Sequence, residues 1–130
     1  MSFIKVVAGV VVKDKKILIA RKRKGKSLAG LWEFPGGKIE ADEIPEIALK
    51  RELLEEFCIE VQVGNYIETS FYHYPRVSIE LKAYYATYLS GKIILTDHDC
   101  YRWIKPEELQ QFEMAPADLP FLKLIESNWK

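Results

Sequence analysis

"GGKIEADEIPEIALKRELLEEFCI", residues 36–59, sets a glycine pair ahead of seven carboxylates in a chain whose charges otherwise balance. Like charges one helical turn apart weaken a helix by about 0.2–0.5 kcal/mol per pair. A segment that concentrates them needs a counter-charge. From residue 44 or 45 to residue 57 the composition is helical, and Pro45 suits a first turn, where its missing N–H costs nothing. Each helical residue advances about 100°, so Glu52, Glu55 and Glu56 fall within one arc of roughly 100°. Ile47, Leu49, Leu53, Leu54 and Phe57 are expected on the other side. Ala48 falls on the acidic stripe one turn before Glu52, where a small side chain leaves room for a ligand.

Glutamates on a helix are ordinarily a solvated face. Here the turn of "EFPGG" lies just upstream, where glycine backbone can approach a ligand closely. Hard oxygen donors gathered in this way suit Mg²⁺, or Mn²⁺ in its place, ions that commonly bind together with substrate phosphates.

Upstream, residues 6–12 and 16–20 ("KILIA") read as two strands of a hairpin around "KDK", a turn without glycine. "RKRKGKSLAG" reads as a basic surface loop, followed by "LWEF" and the glycine turn. Downstream, "IEVQVGNYIETSFYHY" and "VSIELKAYYATYL" alternate apolar and polar residues as half-buried, antiparallel strands do. "CYRWI" is a further strand, "PEELQQF" a helical turn from Pro106, and "ADLPFLKLIESNWK" a closing helix for which Asp118 could serve as cap. The order predicts a mixed sheet with helices on its faces, an α/β or α+β sandwich, in one domain over residues 1–130.

Lysine plus arginine equals aspartate plus glutamate, 19 against 19, so no global field draws the chain to nucleic acid or an anionic membrane. No stable nucleic-acid partner is expected. No apolar run approaches the roughly 20 residues of a membrane helix, and the first strand lacks the cleavage pattern of a leader. The expectation is a cytoplasmic protein. Cys58 and Cys100 lack metal-ligand spacing and read as buried thiols. "SFYHYP" can be core, pocket wall or subunit contact, which leaves the oligomeric state open.

The acidic segment resembles the Nudix box: a glycine, five residues, a glutamate, seven residues, then Arg-Glu-apolar-x-Glu-Glu-x-Gly-apolar. Those positions are Gly37, Glu43, Arg51, Glu52, Leu53, Glu55, Glu56, Cys58 and Ile59. Cys58 departs from the family's glycine, so it must take an unusual backbone angle or end the helix differently. "AGLWEFPGGK" and "APADLP" are similar to the MutT-like branch, and within it to the CTP pyrophosphohydrolase type.

The resemblance implies an α/β/α sandwich and metal-dependent hydrolysis of a nucleoside diphosphate linked to some group X. The favoured reaction is cleavage of a (deoxy)nucleoside triphosphate to monophosphate and pyrophosphate, on pyrimidine or on oxidised and modified nucleotides, as in nucleotide-pool sanitation linked to DNA repair. Rival readings are hydrolysis of a dinucleoside polyphosphate or nucleotide sugar, and a non-catalytic module that binds an oxidised base.

The same resemblance makes Glu52, Glu55 and Glu56 metal ligands, one of them also the general base, with the Gly36 carbonyl added. Arg51 would orient a carboxylate, and Glu43 would pair with Arg51. Asp97 is either a further metal carboxylate or a turn residue. Asp118 either reads the base edge or caps the last helix; ionised, it would favour a base bearing an amino group. Among Arg21, Lys22 and Arg23 one would bind the triphosphate, with Lys22 at the matching position and Arg21 and Arg23 on a shared face. Phe34 either stacks near the base or belongs to the core, and Gly37 lies against substrate. His73 and His98 read as ordinary polar residues.

Overall fold

The computed structural model describes residues 3–129. At its centre runs β1, Ile4–Lys13, whose "VVAGVVV" is buried on both faces, as a strand in mid-sheet requires. β1 turns into β2, Lys16–Lys22, through Asp14 at φ 51° and Lys15 at φ 64°. Both positive angles are those of a tight hairpin turn whose twist matches its strands, reached here without glycine. Two short strands follow, β3 at Trp32–Glu33 against β2 and β4 at Gly36–Lys38 against β1.

Helix α1 spans Pro45–Phe57. The long strands β5, Glu60–His73, and β6, Ser78–Ser90, pair antiparallel, and β6 then lies parallel to β1. β7, His98–Ile104, adds to β2. "PEELQQ" forms a 3-10 helix, a second 3-10 turn covers Pro116–Asp118, and α2 runs over Phe121–Asn128.

The result is a mixed sheet between two helical layers. Val7, Val11 and Leu18 meet Leu49, Leu53 and Phe57 of α1 on one face. Val10, Ile17 and Ile19 meet Phe121 and Ile125 of α2 on the other. Gly9 lets α1 sit close, since a Cβ there would lie 3.2 Å from the Leu49 methyls.

Four expectations are corrected. Ile47 and Leu54 are exposed, not packed, because the sheet covers only the sector of α1 that carries Leu49, Leu53 and Phe57, and two residues seven apart project away from it. Ala48 is fully buried in the α1 core and leaves no opening on the acidic stripe. Cys58 is exposed and Cys100 half-buried, since one follows the helix end and the other lies in an outer strand. Asp118 does not cap α2, which begins three residues later with no side-chain cap. Cys58 itself takes φ 59° and ψ 32°, the left-handed conformation in which glycine is unstrained, and its N–H closes the helix on the Leu54 carbonyl. The sequence departs from the box there, but the backbone does not.

Candidate active site

The glycine turn and α1 are pressed together by β1. β4 pairs with β1 at Ala8↔Gly36 and Val7↔Gly37, while α1 packs on the same strand. A Cβ on Gly36 would lie 1.9 Å from the Val7 carbonyl oxygen, and one on Gly37 would lie 2.1 Å from Glu52 Oε1. Glycine at 36 lets the turn lie against the β1 backbone, and glycine at 37 leaves the space that the Glu52 side chain fills.

Arg51 organises the carboxylates. Its guanidinium grips Glu43 with two hydrogen bonds, Nε to Oε2 at 2.8 Å and Nη2 to Oε1 at 3.0 Å. Nη1 donates to Glu52 Oε2 and Glu55 Oε1, both at 3.0 Å, and Nη2 also reaches the Lys38 carbonyl at 3.0 Å. The expected pairing of Glu43 with Arg51 is therefore present, and these bonds hold the guanidinium above its already high ordinary value, the Glu43 bond foremost. Burial raises the Glu52 carboxyl despite Arg51, and the neighbouring charges of Glu55 and Glu56 push the same way.

Across from α1, Thr96 Oγ1 donates to Glu56 Oε1 at 2.6 Å, and Lys26 Nζ lies 3.1 Å from Asp97 Oδ1. Burial works to raise Asp97, but the hydrogen bond from Lys26, helped by one shared with Glu56, outweighs it and holds the carboxyl low. Glu52, Glu56, Asp97, Gly36, Gly37, Lys22 and His98 line one open cleft of about 330 Å³. Among the described residues no three acidic, histidine or cysteine side chains converge on one point. The carboxylates of Glu52, Glu56 and Asp97 on this cleft are the hard-oxygen donors that a Mg²⁺-like ion takes.

A second cavity of about 150 Å³ adjoins the cleft and shares Lys22, Glu33, Gly36 and Gly37 with it. Its inner wall carries Phe34, Tyr74 and Asp118. Asp118 is 3% exposed, held in the 3-10 turn whose Ala117 N–H donates to the Tyr74 hydroxyl at 3.1 Å. Burial, with the Glu33 charge adding, raises its carboxyl well above the carboxylate range. The shift favours the protonated form of Asp118, which can donate as well as accept, over the ionised form that only accepts. Phe34 belongs to the core, the second of its two expected places, and also lines this cavity.

Three anticipated residues stand apart. Arg21 pairs with Asp99 at 2.8 Å and stacks over Trp32, and Arg23 donates to the Thr96 carbonyl at 3.0 Å; neither lines the cavity or the cleft. A register shift between Arg21 and Lys22 leaves only Lys22 turned inward. Glu55 is exposed and joins the site through Arg51 alone. Two residues were missed. Glu33 borders both cavity and cleft, and His98 Nε2 lies 2.8 Å from its Oε2. The available signal was an acid inside the apolar run "LWEF"; nothing in the sequence pairs it with a histidine 65 positions on.

The α/β/α sandwich sets an acidic cleft beside an apolar cavity, the surroundings of an anionic small molecule with an apolar part. The family model described as NUDIX domain matches residues 4–125, and the chain belongs to the Nudix hydrolase family. Members of this family generally use divalent metal ions and act on small nucleotide-type substrates. The chain is 42% identical over 126 residues to a CTP pyrophosphohydrolase of Escherichia coli, covering 95% of this chain and 91% of that one. It is 34% identical over 112 residues to an 8-oxo-dGTP diphosphatase of Buchnera aphidicola, covering 86% and 85%. The solution structure of the E. coli ORF135 protein superposes with a TM-score of 0.86 at 39% identity, covering 98% of this chain and 91% of that one. No helix among the described residues is long and apolar enough to cross a membrane.

Proposed function

We propose that this chain is a Mg²⁺-dependent nucleoside triphosphate pyrophosphohydrolase that releases pyrophosphate and a monophosphate from pyrimidine or oxidised nucleotides. The observation that carries the reading is the shared wall: the apolar cavity at Asp118 and the acidic cleft meet at Lys22, Glu33, Gly36 and Gly37, so one ligand can occupy both. The base would enter the cavity, where Asp118, its carboxyl raised by burial, would offer a donor as well as an acceptor against Phe34. The phosphates would lie in the cleft, with Lys22 as their cation. The names of the relatives agree with a triphosphate substrate.

Glu52, Glu56 and Asp97, with the Gly36 carbonyl, would hold the metal. When bound, the ion neutralises phosphate oxygens and lowers the pKa of a coordinated water. Arg51 fixes the direction of Glu52 through its Nη1 bond, and Glu55, on the same nitrogen, balances that charge. Lys26 and Thr96 steady Asp97 and Glu56 on the opposite bank. The whole chain acts as one domain, in the cytoplasm, in defence of the nucleotide pool, without a stable nucleic-acid partner.

A wider opening of about 540 Å³ toward Pro75, Arg76 and Val77 leaves space for a larger X group, which keeps dinucleoside polyphosphates as a second reading. The test is a product assay with normal, methylated and oxidised triphosphates and dinucleoside polyphosphates, run with and without Mg²⁺ and with Glu52→Gln and Glu56→Gln. Pyrophosphate and monophosphate, lost in both variants, are expected. No turnover of any triphosphate by the parent overturns the proposal.

A further inference from the structure

His98 opens β7, is only 6% exposed, and lies with its ring 5.1 Å from that of Phe57. Its Nδ1 is buried with no partner among the described residues. A buried N–H without an acceptor is costly, more so than an unused lone pair, so the ring proton belongs on Nε2. His98 therefore donates, and Glu33 Oε2 accepts, at 2.8 Å. Lys22 Nζ faces the same oxygen at 3.6 Å. Both partners act on Oε2, and Glu33 Oε1 has no protein partner among the described residues.

Glu33 lines the apolar cavity together with Asp118. With Oε2 engaged by both His98 and Lys22, the turning of the Glu33 carboxylate is restricted and Oε1 is left as its unengaged acceptor. We propose that His98 is a positioning residue for nucleobase selection: by pinning Glu33 Oε2 it presents Oε1 to the base beside Asp118. The inference rests on the cavity being the nucleoside site.

The chemistry it selects follows from the pair. Glu33 offers an acceptor, while burial of Asp118 raises its carboxyl and so favours the protonated, donating form. Cytosine carries an amino donor at N4 beside an acceptor at N3, which complements acceptor plus donor. Uracil reverses both, with a carbonyl at O4 and an N–H at N3. Without His98, Glu33 can rotate, and the mismatch with uracil is relieved by a movement the native pocket forbids.

The experiment compares CMP with UMP by calorimetric titration of the metal-free protein, and CTP with UTP by kcat/KM in Mg²⁺. The variants are His98→Gln, whose amide nitrogen can take the place of Nε2, and His98→Asn, whose amide falls at Nδ1 and leaves Glu33 without a donor. His98→Asn should narrow the cytosine-to-uracil ratio by about tenfold, the scale of one hydrogen bond to a charged group. His98→Gln should restore the ratio. In a Glu33→Gln background His98→Asn should add nothing.

An equal loss for both nucleotides, an unchanged ratio, or failure of His98→Gln to restore it overturns the inference, as does a parent that binds neither monophosphate. A parent that discriminates CMP from UMP but turns over no triphosphate overturns the proposed reaction and leaves the role of His98 standing. The Mg²⁺ concentration for half-maximal rate should stay unchanged in His98→Asn; a shift would place its effect on Asp97 instead.

Discussion

Gly37→Ala separates the site from the fold more sharply than any substitution of a carboxylate. The added methyl would lie 2.1 Å from Glu52 Oε1, 2.3 Å from Cδ and 2.7 Å from Cγ, and all three atoms belong to one side chain. β4 can stay in register if Glu52 swings away. Such overpacking costs about 1 kcal/mol, the low end of its range, or roughly 3–5 °C in Tm for a chain of this size. The displaced carboxylate would leave the oxygen set, and a rate loss of about 10- to 100-fold is expected from the disturbance of a metal-ligand position.

Gly36→Ala supplies the contrast, because its methyl would meet the β1 backbone, 1.9 Å from the Val7 oxygen and 2.8 Å from Ala8 Cα. Main chain cannot rotate aside. A cost of about 3 kcal/mol and a Tm lowered by about 10 °C are expected. Thermal melts of both variants and steady-state hydrolysis over a Mg²⁺ series measure the two effects. Parental turnover by Gly37→Ala, or a melt as damaged as that of Gly36→Ala, would refute the reasoning.

Further outcomes follow from the same geometry. Arg51→Lys keeps a charge but not the fork that joins Glu43, Glu52 and the Lys38 carbonyl, so kcat should fall about 10- to 100-fold with folding retained, as read by kinetics and circular dichroism. Asp118→Asn should be more stable than the parent at neutral pH. The folded-state carboxyl lies above its ordinary 3.8, so the unfolded chain releases that proton first and parental stability declines as pH rises through that value. The advantage of the variant should vanish below about pH 3.8 in melts taken across pH. Cys58→Gly removes a side chain from φ 59° and should raise stability by about 1 kcal/mol; an unchanged or lower urea midpoint would contradict this.

The fold was readable wherever a local rule acts alone. Alternation over "VSIELKAYYATYL" and the proline-led acidic helix name their elements, because periodicity and first-turn chemistry are local physics. The partial failures came where a face had to be assigned. Ile47 and Leu54 look like core in a helical projection, yet the sheet reaches only one sector of α1 and leaves both in solvent. Asp118 has the composition of a helix cap, but the 3-10 turn places it in a cavity, where it lies beside Glu33 rather than at the end of α2.

For this protein, then, the sequence alone determined the acidic segment, its glycine turn and the family they mark, because box spacing is a distance along one helix and one turn. Only the tertiary structure decided which of three adjacent basic residues enters the cleft, that Asp118 is buried with its carboxyl raised by that burial, and that His98 holds Glu33. Those facts depend on burial and on contacts between strands dozens of residues apart, and a side chain's charge, partner and direction are properties of that surrounding space.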